Sequence, residues 1–485
     1  MFVSVDIGTS SVKVGLIDHN LNVLKEYIAE VPLVTYAPLV AEHDLKMLWD
    51  LTVHGIQEVI KGYEGRVEAI SLSTYLHGLA VLSRDSEVVM NVMTHLDRRC
   101  SSEQNVIERE GVSYELYRRT GCPPIFVFPL CKTLWLVRRG VLKSGHKLSL
   151  VKDYITYKLT GNYVVDYGVA SGSGFLNIHN LRWESLALEL SHVSEDMLPE
   201  LYEGAKVYDY ITLPDIGIRN KVALVLGSFD GALQNLGYGV FREDAVLNLG
   251  STAVIRTLLH EPVVDKDLSA RFFTYYAADG YRVVGGASNN GMTVIEWVRK
   301  NFIKQGLELT EEVVCRDNVY VLPFLTGERY PFRDPNLTFT VLGFRLEHSQ
   351  KHLLRAVVEG IAFTVKSILD AIEENKVVIE RVHCAGGGCS YKEFIDIFSN
   401  VLCKPIAIHT KPREAVILGA SNIARRALGY LKSFEDLREG DVDRPTYVHP
   451  DINTCKVYLK CLEKFVDLVK KVQTLNKVLL ETPGY

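Results

Sequence analysis

The chain has 485 residues, 47% of them hydrophobic and 23% charged, with 54 Lys+Arg against 59 Asp+Glu and a formal net charge of -5. That length calls for two or three domains with room for a cleft between them and excludes a single small binding module. The mild acidity is spread along the chain without a basic stripe, so nucleic acid is not the expected partner.

The first residues, Met1 to Asp6, carry no cationic leader, and no apolar run reaches the length of a membrane span, so no membrane partner is expected and a cytoplasmic location is. Short β-branched runs at 2–5 and 12–17 predict strands, joined by the polar turn Gly8-Thr9-Ser10. A further strand is predicted at 222–226, directly before Gly227-Ser228-Phe229-Asp230-Gly231. Apolar residues at helical spacing predict a helix over 353–372, and 393–402 and 455–480 read as amphipathic, the last as a packing helix. Strands alternating with longer amphipathic stretches define an α/β class. The nine cysteines are scattered, odd in number and never spaced Cys-x-x-Cys, which predicts neither a disulfide framework nor a zinc site; Cys384, Cys389, Cys455 and Cys461 read as small buried residues in a reducing compartment.

One shape occurs twice. Val3 to Leu16 reads strand, Gly-Thr-Ser tip, strand; Ala245 to Leu258 reads strand, Gly250-Ser251-Thr252 tip, strand. The repeat suggests a duplicated α/β unit with a boundary near residue 240. Glycine lets such a tip approach a ligand, and its amides and hydroxyls suit an anion, so two tips across a cleft would grip a polyphosphate; ordinary turn chemistry is the alternative for either alone. No phosphate-loop or dinucleotide fingerprint is present, since Met292 stands where the lysine of the nearest imitation, Gly286 to Thr293, would have to be. Asp230, held between glycines after a strand, reads as a cleft carboxylate able to take a proton or hold a metal, or as a helix N-cap. Ala385-Gly386-Gly387-Gly388 offers a bare surface to a planar base, or simply a tight turn.

Taken in order, Asp6-Ile-Gly8-Thr9-Ser10-Ser-Val-Lys13, His77-Gly78, Lys152-Asp153-Tyr154, Gly227-Ser-Phe-Asp230-Gly231, Gly250-Ser251-Thr252, Leu322 to Arg329 and Ala385 to Gly388 resemble the FGGY carbohydrate kinases over nearly the whole chain. The resemblance implies a two-domain actin-like ATPase fold with duplicated ribonuclease H-like domains, residues 1–240 binding sugar and phosphate and residues 241–485 binding nucleotide. It implies ATP and Mg²⁺ as cofactors, a small carbohydrate as partner, and a homodimer. Carried over residue by residue, it places Asp6 at the metal. It places Thr9, Ser10 and Lys13 at the phosphates, with Ser251 and Thr252 opposite. Gly291, Gly387 and Tyr391 fall at the nucleotide. His77, Gly78, Asp97 and Arg99 fall at the sugar, and Asp230 at both the sugar and the catalytic base.

Asp166 to Ile178, Thr120 to Pro123, Leu236 to Gly239 and Asn289-Asn290-Gly291 are most similar to the gluconate kinase branch. A gluconate carboxylate calls for a cation, for which Arg98, Arg99 and Lys152 are the candidates. Thr94-His95-Leu96 departs from the Trp-containing run usual before the Asp-x-Arg motif. The expected reaction is therefore ATP-dependent phosphorylation of gluconate to 6-phosphogluconate. Xylulose, ribulose or glycerol are alternatives within the family, and a non-catalytic actin-like scaffold or a phosphatase-like ATPase are alternatives outside it.

Overall fold

The computed structural model describes residues 1–303, 306, 308–410, 414–437 and 444–480. Two central sheets carry the chain. In the first, the strands run in the order Val207–Leu213, Ile218–Phe229, Ala69–Thr74, Phe2–Ile7, Ser11–Ile17, Val23–Glu30. In the second they run Phe273–Tyr276, Arg282–Ser288, Ala253–Leu259, Asp244–Leu249, Arg381–Ala385, Ile406–Ile408, Thr446–Val448.

The two sheets share one connectivity. Each opens with an antiparallel meander of three strands, whose first strand then pairs in parallel with a fourth, and the fourth in parallel with a fifth. The paired tips seen in the sequence are thus the first hairpins of two copies of one unit. Burial explains the residue patterns. Phe2–Ile7 is covered on both faces and is apolar at all but Ser4 and Asp6, whereas Val23–Glu30 lies at a sheet edge and alternates half-buried with exposed residues.

In each unit a helix follows the fifth strand, Asp230–Tyr238 in the first and Ala415–Ala427 in the second. These helices cross against one another and exchange sides. Ala424 of the second packs with Phe2, Ala69 and Ala223 of the first sheet, and Tyr238 packs with Val246 and Ala385 of the second sheet. Ser4 and Ser421 hydroxyls lie 2.9 Å apart across the same junction. Every residue of the first helix but Asp230 is buried, and so are 9 of the 13 in the second, as helices packed on two sides require.

The predicted helix at 353–372 is longer, Gln350–Glu374, because Ser349 caps it and His352 Nδ1 accepts from the Ser349 amide at 3.1 Å. The amphipathic stretch at 455–480 lies within helix Ile452–Leu480. The cysteine reading needs correction: Cys315 bonds to Cys461, and Cys384 to Cys389. The first pair is 146 residues apart in sequence and is joined only because the last helix folds back on the segment Val314–Asp317, which spacing could not reveal.

Candidate functional site

One side of the cleft is built from the two hairpin tips. Gly8 closes the first by donating to the Ser11 carbonyl at 2.9 Å, and Gly250 closes the second by donating to Thr252 at 3.0 Å. Thr9, Ser10, Ser251 and Thr252 all line one cavity of about 940 Å³. Lys13 sits on the outgoing strand directly opposite Asp6 in register. Gly291 acts by close packing: its amide donates to the Ser251 carbonyl at 3.1 Å, and a Cβ there would lie 2.5 Å from the carbonyl carbon of Thr252. It props the tip from behind, while Thr293 reaches the cavity wall.

The glycine run divides its labour. Gly386 has φ +87° and lies against Asn248 and Leu249, and Gly388 packs on Leu249 and Met292. Gly387 has open space where a side chain would be, so it alone presents bare backbone. Tyr391 is exposed and stacks on Phe394 with ring centroids 4.9 Å apart.

Deeper between the sheets, a cavity of about 300 Å³ brings together Asp6, His77, Asp230, Gln234, Arg256 and Arg329. Asp230 is the first residue of helix Asp230–Tyr238 and not its cap, which is Phe229. Its carboxylate accepts from the Gly231 amide at 2.7 Å. Burial raises its pKa, with the nearby Arg256 and Lys152 charges pulling the other way. Asp6 is pushed up to about 6, first by burial and then by the negative charge of Asp230, against a hydrogen bond from the Ser73 hydroxyl at 2.7 Å. A buried carboxylate whose proton affinity is raised by a neighbouring carboxylate is suited to a cation. Asp6 and Asp230 line the same cavity and would suit Mg²⁺, an ion that takes one or two carboxylates and completes its shell with water and phosphate oxygens.

His77 has φ +70°, and its Nδ1 lies 2.9 Å from the Gly172 carbonyl while the ring stands edge-on to Phe128. Burial, reinforced by Arg329, holds its pKa well below the usual imidazole value, so the ring is neutral, donates to that carbonyl and keeps Nε2 as an acceptor. Gly78 is buried, and a Cβ on it would press on Val151 at 2.8 Å, so it serves packing.

Asp97 and Arg99 are placed otherwise than the sequence suggests. Asp97 is fully buried, accepts from the Ala41 amide at 3.0 Å and binds the Arg99 guanidinium. Arg99 also pairs with Glu42 at 2.5 Å and lies over the Trp135 ring. These two side chains satisfy one another, and His95 and Arg98 line the cleft in their stead. Lys152 is not available to a substrate either. It is wholly buried, pairs with Asp166 at 2.7 Å and donates to the Leu226 and Ser228 carbonyls, which fixes the strand end just before Asp230. Arg256 and Arg329 are the cations the sequence reading passed over. Arg256 was legible as the one charge inside strand Ala253–Leu259, whose other residues are apolar but for Thr257, and it is a residue type rarely buried without a reason.

The description "FGGY family of carbohydrate kinases, N-terminal domain" matches residues 1–237, and its C-terminal counterpart matches residues 245–428. The chain belongs to the FGGY family of carbohydrate kinases. Gluconokinase of Bacillus subtilis (strain 168) is 26% identical over 97% of this chain and 95% of its own length. The crystal structure of gluconate kinase from Lactobacillus acidophilus superposes with a TM-score of 0.89 at 26% identity, covering 97% of this chain and 98% of that one. The ligand-bound xylulose kinase from the same organism gives 0.91 at 27% identity, covering 98% and 99%. The FGGY kinase is therefore an ATP-dependent sugar kinase of actin-like ATPase fold, acting on a small carbohydrate. Kinases of the family use ATP, generally with Mg²⁺. Among the described residues no helix is long and apolar enough to cross a membrane.

Proposed function

We propose that this FGGY kinase phosphorylates a sugar acid, gluconate, to give 6-phosphogluconate. The observation that carries the reading is a pair of buried guanidiniums, Arg256 and Arg329, on the wall that also holds Asp230. Arg256 spends its hydrogen bonds on the neutral amides of Asn235, at 3.3 Å, and Gln234. Arg329 has a buried Nε with no partner. Neither forms an ion pair with a carboxylate among the described residues. Asp230 and Glu328 supply the nearby negative charge without closing an ion pair on either guanidinium, and a substrate carboxylate matches a guanidinium geometrically where a neutral ketose offers no charge.

In this reading the boundary between the halves falls near residue 240. Asp230 takes the proton from the sugar hydroxyl as that oxygen bonds to the γ-phosphorus and the bond to the ADP oxygen breaks. Thr9, Ser10 and Lys13 on one side and Ser251 and Thr252 on the other hold the phosphates in line. Asp6 would hold Mg²⁺, which when bound would neutralise phosphate charge. His77, Arg256 and Arg329 orient the sugar acid, and Gly387 and Tyr391 meet the adenosine. The test is product identification by mass with ATP, Mg²⁺ and gluconate, xylulose, ribulose or glycerol. Phosphorylated gluconate is expected; phosphorylated xylulose with gluconate untouched refutes the assignment.

A further inference from the structure

Three segments outside the reaction site surround a cavity of about 700 Å³: helix Glu103–Arg109 with the turn before it, the loop 333–336, and helix Ile452–Leu480. Lys470, Gln473, Thr474 and Lys477 fall at i, i+3, i+4 and i+7, so one polar face of the last helix lines the cavity. Asn476 fixes that helix in place by donating to the Asn336 carbonyl at 2.8 Å.

Four cations, Arg98, Arg333, Lys470 and Lys477, line the wall against two carboxylates, Glu108 and Asp334. This basic concavity belongs to a chain of net charge -5. None of the four cations is ion-paired among the described residues. Arg333 donates through Nη1 to the Ser269 carbonyl at 2.8 Å, yet its Nε is buried with no partner. The remaining wall is amide and hydroxyl: Gln104, Asn105 and Gln473, with Ser101, Ser102 and Thr474. Cations beside amides and hydroxyls are the groups that recognise a phosphate attached to a polyol, and the volume is that of a small-molecule site.

Arg98 is common to this cavity and to the cleft with the hairpin tips. Its guanidinium lies 5.7 Å from the centre of the Phe126 ring, which also lines the cleft. The wall joins helix Glu103–Arg109 from the first half to two segments from the second, so an occupant would touch both.

We propose that this cavity is an effector site for a phosphorylated sugar, and that the bound phosphate draws Arg98 away from the cleft. Withdrawing a cation from a site that takes anionic substrates weakens them, so the effector inhibits. By linkage, saturating substrate weakens the effector equally.

The test is calorimetric titration of the full chain with its cleft empty, since by that linkage a filled cleft would weaken the effector. The probes are glucose 6-phosphate, ribose 5-phosphate, glycerol 3-phosphate and inorganic phosphate. At least one sugar phosphate binds with one-to-one stoichiometry and loses tenfold or more in affinity in the Lys470→Gln/Lys477→Gln variant. That variant keeps the basal kcat and KM of the parent. The bound probe raises the KM for the sugar substrate at least threefold in the parent and not in the variant. Silence of all three sugar phosphates, or binding unchanged in the variant, overturns the site. Inorganic phosphate binding as tightly as the best sugar phosphate overturns recognition of the polyol. An unchanged KM at saturating probe overturns the link through Arg98. The titration does not depend on which sugar is phosphorylated.

Discussion

Gly237 lies directly against Ala415: a Cβ on the glycine would come within 1.9 Å of the Ala415 carbonyl oxygen. The contact is reciprocated, because a Cβ on Gly419 would come equally close to the Leu233 carbonyl oxygen, also at 1.9 Å. The two exchanged helices therefore cross backbone to backbone, and Asn422 adds a hydrogen bond to the Leu236 carbonyl at 3.1 Å. Backbone cannot give way as a flexible side chain does. Gly237→Ala and Gly419→Ala are each expected to cost about 2 kcal/mol or more through overpacking. Chemical denaturation reads the loss, and an unchanged midpoint for both would show that the helices part freely.

Asp230→Asn removes the proposed base while keeping an oxygen to accept from the Gly231 amide. The kcat is expected to fall about 10²- to 10⁴-fold with circular dichroism unaltered. A variant retaining more than a tenth of its turnover would take Asp230 out of the proton transfer.

Arg256→Gln tests the carboxylate partner. A charge-assisted hydrogen bond is worth about 1.5–3 kcal/mol, so the KM for gluconate should rise roughly 10- to 100-fold. The KM for ATP should stay within about twofold. Equal loss toward both substrates would instead place the guanidinium on the transferring phosphoryl group.

Asp153 gives a pH test away from the reaction. It is fully buried, accepts from the Leu150 amide at 2.7 Å, and burial pushes its pKa up to about 7 from an ordinary 3.8. A carboxyl whose folded pKa is raised stabilises the fold fully below about 4, and that contribution is lost as pH rises through 7. Asp153→Asn retains the acceptor and abolishes the buried charge. It should stabilise the protein at pH 8 by about 2–4 kcal/mol and leave it nearly unchanged at pH 4. Thermal melts across that range decide it; a gain equal at both ends would exclude a titrating cause.

The Cys315–Cys461 bond closes a loop spanning 146 residues. Replacing both cysteines by serine is expected to lower stability by about 2–4 kcal/mol, chiefly by freeing the unfolded chain. Equal denaturation midpoints for parent and variant would dismiss that contribution.

Legibility followed range. The two hairpins were readable because a tip and its strands are a local pattern, and Asp230 stood out because glycines flank it at a strand end. Helix Gln350–Glu374 was legible from its apolar spacing and was underestimated only at ends set by capping. What sequence could not show was direction. Asp97 and Arg99 sit one residue either side of Arg98, yet only Arg98 lines the cleft, because the buried Asp97 holds Arg99 to itself and to Glu42. Arg256 and Arg329 meet at one wall from segments 73 residues apart, the first in strand Ala253–Leu259 and the second in the loop after strand Tyr320–Pro323, a juxtaposition that no local spacing displays. Lys152 looked like a ligand because a cation amid apolar residues invites one, and the fold had already supplied Asp166 as its partner.

The exchange of helices Asp230–Tyr238 and Ala415–Ala427 makes the halves interdependent as pieces of polypeptide. Expressed alone, residues 1–240 would leave bare the sheet surface that Ala424 and its neighbours cover, and residues 241–485 would present a mostly apolar helix with nothing to lie on. Each fragment would be prone to aggregate, whereas the two produced together carry complementary surfaces and should find one another. A gene cut near codon 240 would then encode a two-component kinase whose activity reports on the meeting of its parts.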